Sequence, residues 1–323
     1  MRLLARALSL ALIIVATASL RPAIAQEQPW PARPITLIVA FPPGTTTDLA
    51  ARAAAQHLSQ VLGQPVVVEN RTGGGGVIAS QFVAKAPPDG YTLLMTTIGP
   101  AVLRPLIDSK VHYDPVADFT PIMLVGAAPN LLVSSPQLGF HDVQDLVDYA
   151  KRNPGRLSVG HSGPGTMGHL IALLFASEAG IDTNLISYTG SPPIVTDLAG
   201  GHLDVGSIAY GAALANVTVL AITSMERLAL LPDVPTMAES KFPNVSGATW
   251  SALFGPPRLP PEIVAKLNSG IDEFLRSDAA KQQFDKVGYH LLGGSPDRLR
   301  QQMTNDHAKW SKVIAAAKIA ADP

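Results

Sequence analysis

The residues best suited to chemistry lie in two turns rich in glycine and hydroxyls. They are Phe41-Pro42-Pro43-Gly44-Thr45-Thr46-Thr47-Asp48 and Gly160-His161-Ser162-Gly163-Pro164-Gly165-Thr166. Each follows a short apolar run and leads into a helical pattern. A helix entered this way offers unpaired N–H groups and a positive dipole end, the chemistry of an anion site. Thr45, Thr46 and Thr47 are N-cap candidates, and Asp48 adds a carboxylate to the first turn. If the two turns face one another across a cleft, they clamp a carboxylate without needing Arg or Lys. The plain alternative is that both are caps and nothing more.

Enzymatic readings of the same residues fare worse. Gly163-Pro164-Gly165-Thr166-Met167-Gly168 satisfies G-x-G-x-x-G, but the next strand ends in Tyr188-Thr189-Gly190 with no acidic residue to hold a ribose. Ser162 begins like a nucleophile elbow, yet Pro164 stands where the last glycine of G-x-S-x-G belongs. His161 is adjacent to Ser162, and His169 falls on the following helix among Leu170, Leu173 and Leu174. A secreted serine hydrolase using Ser162 is therefore the lesser reading, alongside a ligand-sensing receptor for a signalling partner. Gly73-Gly74-Gly75-Gly76 lacks the Gly-Lys-Ser/Thr of a phosphate loop, and the histidines form no metal-spaced cluster. No cofactor and no metal is expected.

The elements that must position the turns read as α/β. Pro65–Asn70 is a second strand, all apolar at its centre as in a buried parallel sheet, followed by a helix over Val77–Lys85. Tyr91–Thr97 is a third, whose Thr97 would reach the same sheet edge as Thr45 to Thr47, where ligands of α/β sheets bind. A new strand starts at Leu131, a helix covers Val143–Lys151, and Ile263, Leu267, Ile271 and Leu275 stripe a helix over Pro261–Arg276. The 323 residues allow two lobes, the net charge of −1 argues against nucleic acid, and the absence of cysteine removes thiol chemistry. Arg2 and Arg6, the apolar run Ala7–Leu20 and Ala23-Ile24-Ala25 form a secretory leader cut after Ala25.

Several motifs together resemble one family. Trp30-Pro31-Ala32-Arg33-Pro34-Ile35, Phe41-Pro42-Pro43-Gly44, Thr47-Asp48-Leu49-Ala50-Ala51-Arg52, the turn before His169-Leu170, and Leu231-Pro232-Asp233-Val234-Pro235-Thr236-Met237-Ala238-Glu239-Ser240 are similar to the tripartite tricarboxylate transporter receptors. These periplasmic solute-binding proteins are also called Bug receptors. The resemblance implies two α/β lobes of type II-like form, with mostly parallel sheets and a hinge cleft. Residues 1–25 would be the leader, 26–125 and 225–323 one lobe, and 126–224 the other. It implies a monomer that carries a small organic carboxylate to a permease of one large and one small membrane subunit. The expected ligand-binding set is Phe41, Pro43, Gly44, Thr45, Thr46, Asp48, Thr97, Ser162, Gly165, Thr166, His169, Tyr188 and Ile208.

The chain departs from the family in four places. Thr45 replaces a glycine and restricts the turn. Ile208 stands where amino-acid-binding relatives carry an acid, which argues against a ligand ammonium. The segment before Val217 is short, and Lys241 replaces another glycine.

N-terminal sequencing or the intact mass of the exported protein is expected to place its start at Gln26. A mature chain that keeps Met1–Leu20 in the membrane overturns the leader reading.

Overall fold

The computed structural model describes residues 29–317, except 110, 212, 213 and 215. The leader over 1–25 and the start at Gln26 lie outside the described residues. In chain order the first part holds β1 (Ile35–Val39), α1 (Thr46–Leu62), β2 (Val66–Asn70), α2 (Val77–Ala84) and β3 (Thr92–Thr97). A π-helical turn over Gly99–Leu103, the short α3 (Arg104–Ile107) and the long β4 (Thr120–Ser134) follow. The second part runs α4 (Val143–Arg152), β5 (Leu157–His161), α5 (Met167–Ala179), β6 (Thr183–Ser187), α6 (Ser191–Gly200), β7 (Val205–Ala209) and β8 (Thr218–Ile222). The chain returns through β9 (Ala248–Gly255), α7 (Pro261–Arg276), α8 (Asp278–Asp285), β10 (His290–Leu291) and α9 (Pro296–Ala316).

All strands join one mixed sheet in the order β2-β1-β3-β9-β4-β7-β5-β6, with β8 and β10 also paired to β4. The parallel pairing expected of an α/β fold holds in the outer strands, β1 with β2 and β3, and β5 with β6 and β7. The two strands that cross between the halves, β4 and β9, are antiparallel to every partner, because one leaves and the other returns. No helix among the described residues is long and apolar enough to cross a membrane.

Two expectations about strands change. Leu131 does not begin a new strand: β4 runs unbroken for 15 residues, about 50 Å at strand rise. Gly126 and Pro129 suggest a break, yet shifts in register against β9 absorb the irregularity and the Pro129 carbonyl still accepts the Tyr210 N–H. The second strand is not buried either, for β2 is an edge strand and Val67 is 53% exposed.

Alternation along the strands builds a core on each face of the sheet. Leu37, Val39, Leu93, Leu131 and Leu253 pack with Leu58 of α1 and Leu267 of α7. Their neighbours Ile38, Leu94, Leu132 and Phe254 pack on the opposite face with Val83, Leu170 and Trp310. The stripe expected on Pro261–Arg276 is buried along its length, with Val264 and Phe274 added. The Trp250 indole donates to Asp306 at 2.7 Å, tying β9 to α9.

The Leu231–Ser240 signature is a compact turn closed at both ends. Thr236 and Glu239 form a capping box: Glu239 N–H donates to Thr236 Oγ1 at 3.1 Å, and Thr236 N–H to Glu239 Oε2 at 2.7 Å. The far end is a Schellman closure, Phe242 N–H to Met237 carbonyl at 2.8 Å and Lys241 N–H to Ala238 carbonyl at 3.1 Å. Lys241 is thereby held at φ 73°, the left-handed conformation that favours glycine. Lys241→Gly is expected to raise stability by about 1 kcal/mol in urea melts. A less stable variant would show that the lysine contributes more than its backbone costs.

Candidate functional site

The first turn is held by its own buried carboxylate. Asp48, 1% exposed, accepts from Gly44 N–H at 3.0 Å, Asn70 Nδ2 at 2.8 Å and Arg52 Nε at 3.0 Å. Burial pushes its carboxyl upward, but the bonds from Arg52, Asn70 and Gly44 outweigh that and hold it below the usual carboxylate value. Asn70 Nδ2 also donates to the Phe41 carbonyl at 2.8 Å, so the strand end and the helix start move as one piece. Thr45 is the N-cap: its hydroxyl accepts from Asp48 N–H at 3.3 Å and donates to the Pro42 carbonyl at 3.0 Å. At φ −75° it suffers none of the strain that replacing a glycine could bring. With Asp48 N–H capped, the N–H groups of Thr46 and Thr47 remain as the open donors of α1.

The second turn repeats the device. Thr166 caps α5, accepting from His169 N–H at 3.3 Å and donating to the Gly163 carbonyl at 2.8 Å. The open donors of α5 are then the N–H groups of Met167 and Gly168. Gly165 donates its own N–H to His169 Nδ1 at 3.1 Å. Burial, then the neighbouring His161 and Arg104, push the His169 imidazole down to about 3, so it is neutral at pH 7 and able to accept that bond. A third helix start, α6, meets the same place. Pro192 and Pro193 carry no N–H, so α6 contributes only Ser191, whose hydroxyl lies 3.3 Å from that of Ser162.

These elements line a common cleft. Of the expected residues, Phe41, Thr45, Thr46, Thr97, Ser162 and Thr166 line it, together with Thr47, Asn130, Met167, Gly168, Gly190, Ser191, Ala209 and Thr249. None of the lining residues is ionisable. Asn130 and Thr249 were invisible in the sequence because buried polar residues on crossing strands carry no local motif. The α6 start could have been found from Gly190-Ser191-Pro192-Pro193, a well-marked helix entry.

Other expected residues support the wall from behind. Pro43 and Gly44 are exposed on the outer side of the first turn, and Asp48 lies beneath it. Gly165 packs against Arg104, and His169, fully buried, braces Gly165. Tyr188 donates to Asp197 at 2.6 Å, fastening the loop after β6 to α6. Ile208 is a correction: it is fully buried, pairs with Leu131 and belongs to the core, whereas its neighbour Ala209 lines the cavity. Strand alternation sends adjacent side chains to opposite faces, so the argument built on Ile208 fails by one residue. The hydrolase reading also loses its base, since His169 commits Nδ1 to Gly165 and has little basicity left.

The cavity is closed by glycines in van der Waals contact across it. A Cβ on Gly163 would lie 2.9 Å from Gly75 Cα, one on Gly190 2.9 Å from Pro42, and one on Gly75 would strike the Pro164 carbonyl. The four-glycine turn at 73–76 is thus a seat for the second turn. Gly75 has φ 66°, and Gly63, with φ 67°, has open space where a Cβ would go. Gly75→Ala and Gly63→Ala should each cost about 1–2 kcal/mol of stability in urea melts from the backbone alone. Only Gly75→Ala should also weaken ligand binding, by at least tenfold in titration calorimetry. Equal affinities of the two variants would show that closure does not need this seat.

Known proteins match this chain in both sequence and fold. The model for the tripartite tricarboxylate transporter family receptor matches residues 50–319. BugT of Bordetella pertussis is 36% identical over 308 residues, spanning 94% of each chain. The solved structure of R. palustris Rpa4515 with adipate superposes with a TM-score of 0.87 at 36% identity, covering 90% of this chain and 99% of that one. MatC from Rhodopseudomonas palustris with bound malate gives a TM-score of 0.83 at 29% identity, covering 88% and 100%. By sequence and fold, the chain belongs to the tripartite tricarboxylate transporter receptor family, the Bug-type periplasmic solute receptors, which bind solutes rather than transform them.

Proposed function

We propose that this receptor captures a small organic carboxylate between two lobes and presents it to a membrane permease of one large and one small subunit. The observation that carries the reading is the convergence of the α1 and α5 starts on one uncharged cavity, with the open N–H groups of Thr46, Thr47, Met167 and Gly168. Hydrogen bonds to a charged group contribute about 1.5–3 kcal/mol each. Three or four of them sum to about 4.5–12 kcal/mol before ordering costs, a range that includes the roughly −8 kcal/mol of micromolar affinity. That relatives were solved with adipate and with malate supports a carboxylate for this chain as well. The lobes are residues 26–125 with 225–323, and 126–224. This division is supported by β4, which exchanges β9 for β8 as its partner between Pro129 and Leu131. The receptor acts as a periplasmic monomer after removal of the leader at Ala25.

The test is a thermal-shift screen against mono-, di- and tricarboxylates with their amides as controls. A ligand at 100 times its dissociation constant adds about 2.7 kcal/mol of stability. Carboxylates are expected to raise the midpoint and their amides to leave it unchanged; stabilisation by the amides alone overturns the reading. Between Ser162 and Ser191 one hydroxyl proton is spent on the other oxygen, which leaves one O–H for the ligand. Ser162→Ala combined with Ser191→Ala removes that donor and should therefore lose about 1–2 kcal/mol of affinity for the best carboxylate, with its unliganded urea midpoint little changed.

A further inference from the structure

We propose that Arg104 and the His161–His169 pair form a proton-sensitive latch between the lobes, one that holds the receptor closed while the imidazoles are neutral and opens it when they take up a proton. The inference rests on the two-lobed reading and goes further by naming a control device behind the wall of the cleft.

Arg104 opens α3 in the first lobe and lies against the turn of the second. A Cβ on Gly165 would be 2.7 Å from Arg104 Cδ and 3.0 Å from its Cα, so only glycine lets them come this close. Beside it, a Cβ on Gly99 of the π-helical turn would lie 3.2 Å from the Gly165 carbonyl oxygen. From its own lobe Gly165 is held by the N–H it donates to His169 Nδ1 at 3.1 Å. The His169 ring stacks on His161, with centroids 4.3 Å apart and planes tilted by 31°. Both are buried, His169 at 0% and His161 at 1% exposure. One glycine thus joins a cation of one lobe to two imidazoles of the other.

The bond to Gly165 is open only to a neutral ring. A protonated Nδ1 carries a hydrogen of its own and meets N–H with N–H. Its charge would also be enclosed away from water beside Arg104 and a second imidazole. The charged and titratable groups on the elements packed here are few. From α3 come Arg104 and its ion-pair partner Asp108, and from β5 comes His161. The π-helical turn, the glycine turn at 73–76, β4 and β7 carry none. Glu178, at the far end of α5, accepts from Asn244, and Asp306 of α9 accepts from Trp250, with His307 exposed next to it. Tyr188 and Asp197 are bonded to one another on the other face of β5, where Tyr188 meets Gly160.

In the closed structure burial, His161 and Arg104 together hold the His169 imidazole down at about 3. Opening withdraws Arg104 and admits water, so the value rises toward the ordinary histidine value of about 6.5. The closed form therefore binds fewer protons than the open one. Linkage fixes the sign: closure is at full strength above the open-state value and weakens as pH falls from about 6.5 toward 3. Ligand affinity, which draws on closure, falls in the same direction.

The experiment is titration calorimetry at pH 7.5 and 5.0 with whichever of adipate, succinate and L-malate binds best. Wild type is compared with His169→Gln, whose amide oxygen can accept from Gly165 but takes up no proton. The ionisation of the ligand itself changes equally for both proteins. The loss of affinity on acidification is expected to be at least about fivefold greater for wild type than for His169→Gln. Equal losses overturn the inference and leave the carboxylate reading standing. A second measurement needs no variant and decides the matter if His169→Gln does not fold: the imidazole C–H signals of wild type followed by NMR against pH. Without ligand a pair of buried histidines should titrate between pH 5 and 7, and with saturating ligand the same signals should stay neutral below pH 5. Histidine signals that titrate identically in both states overturn the inference. If wild type binds none of the three probes at either pH, the functional reading falls and the inference falls with it.

Discussion

Everything in this molecule depends on main-chain N–H groups that a helix cannot satisfy for itself. An α-helix leaves its first donors open, and side-chain caps close only some of them. Here Thr45 and Thr166 each close the third donor of a helix and leave the first two facing the same space. On the proposed reading, anion recognition is a by-product of helix geometry, brought about by bringing two helix starts together. The rest of the fold is scaffolding for that encounter: parallel outer strands deliver both helices to one edge of the sheet, and antiparallel crossing strands set the distance between them.

Because the donors are neutral, their supports carry the charge. Asp48 and Arg52 lie behind the first turn, and Arg104 with the His161–His169 stack, ring centroids 4.3 Å apart, lies behind the second. Each backing group stiffens a turn whose working atoms belong to the main chain. Preorganised dipoles in a closed, uncharged cavity act on an anion more strongly than the same groups would in water. Glycine makes the closure possible. Gly75, Gly163 and Gly190 let the opposing turns meet without side chains between them.

The two turns, the α7 stripe and the βα units at either end were legible in the sequence because each depends on residues close together along the chain. What escaped depends on pairing between distant segments. The face to which Ile208 points is decided by its register against Leu131, 77 positions away by number (208 − 131), and no local pattern contains that. Asn130 and Thr249 meet across two crossing strands, so neither looks unusual in its own neighbourhood. Gly126 and Pro129 read locally as breakers, yet β4 persists because partners on both edges hold it. Lys241 shows the reverse: the glycine-like demand of its position was written in the motif, and the structure supplied the reason.

The unbroken span of β4 has a consequence for how such a receptor can change over time. One strand supplies sheet edges to both halves, and β9 returns beside it. Neither half is therefore a cassette that could be exchanged with another protein by a single splice. A cut anywhere in β4 would strip one half of its central strand and expose an unpaired edge open to aggregation. Novelty in ligand preference must instead come from point changes in the cavity wall, on a frame inherited whole.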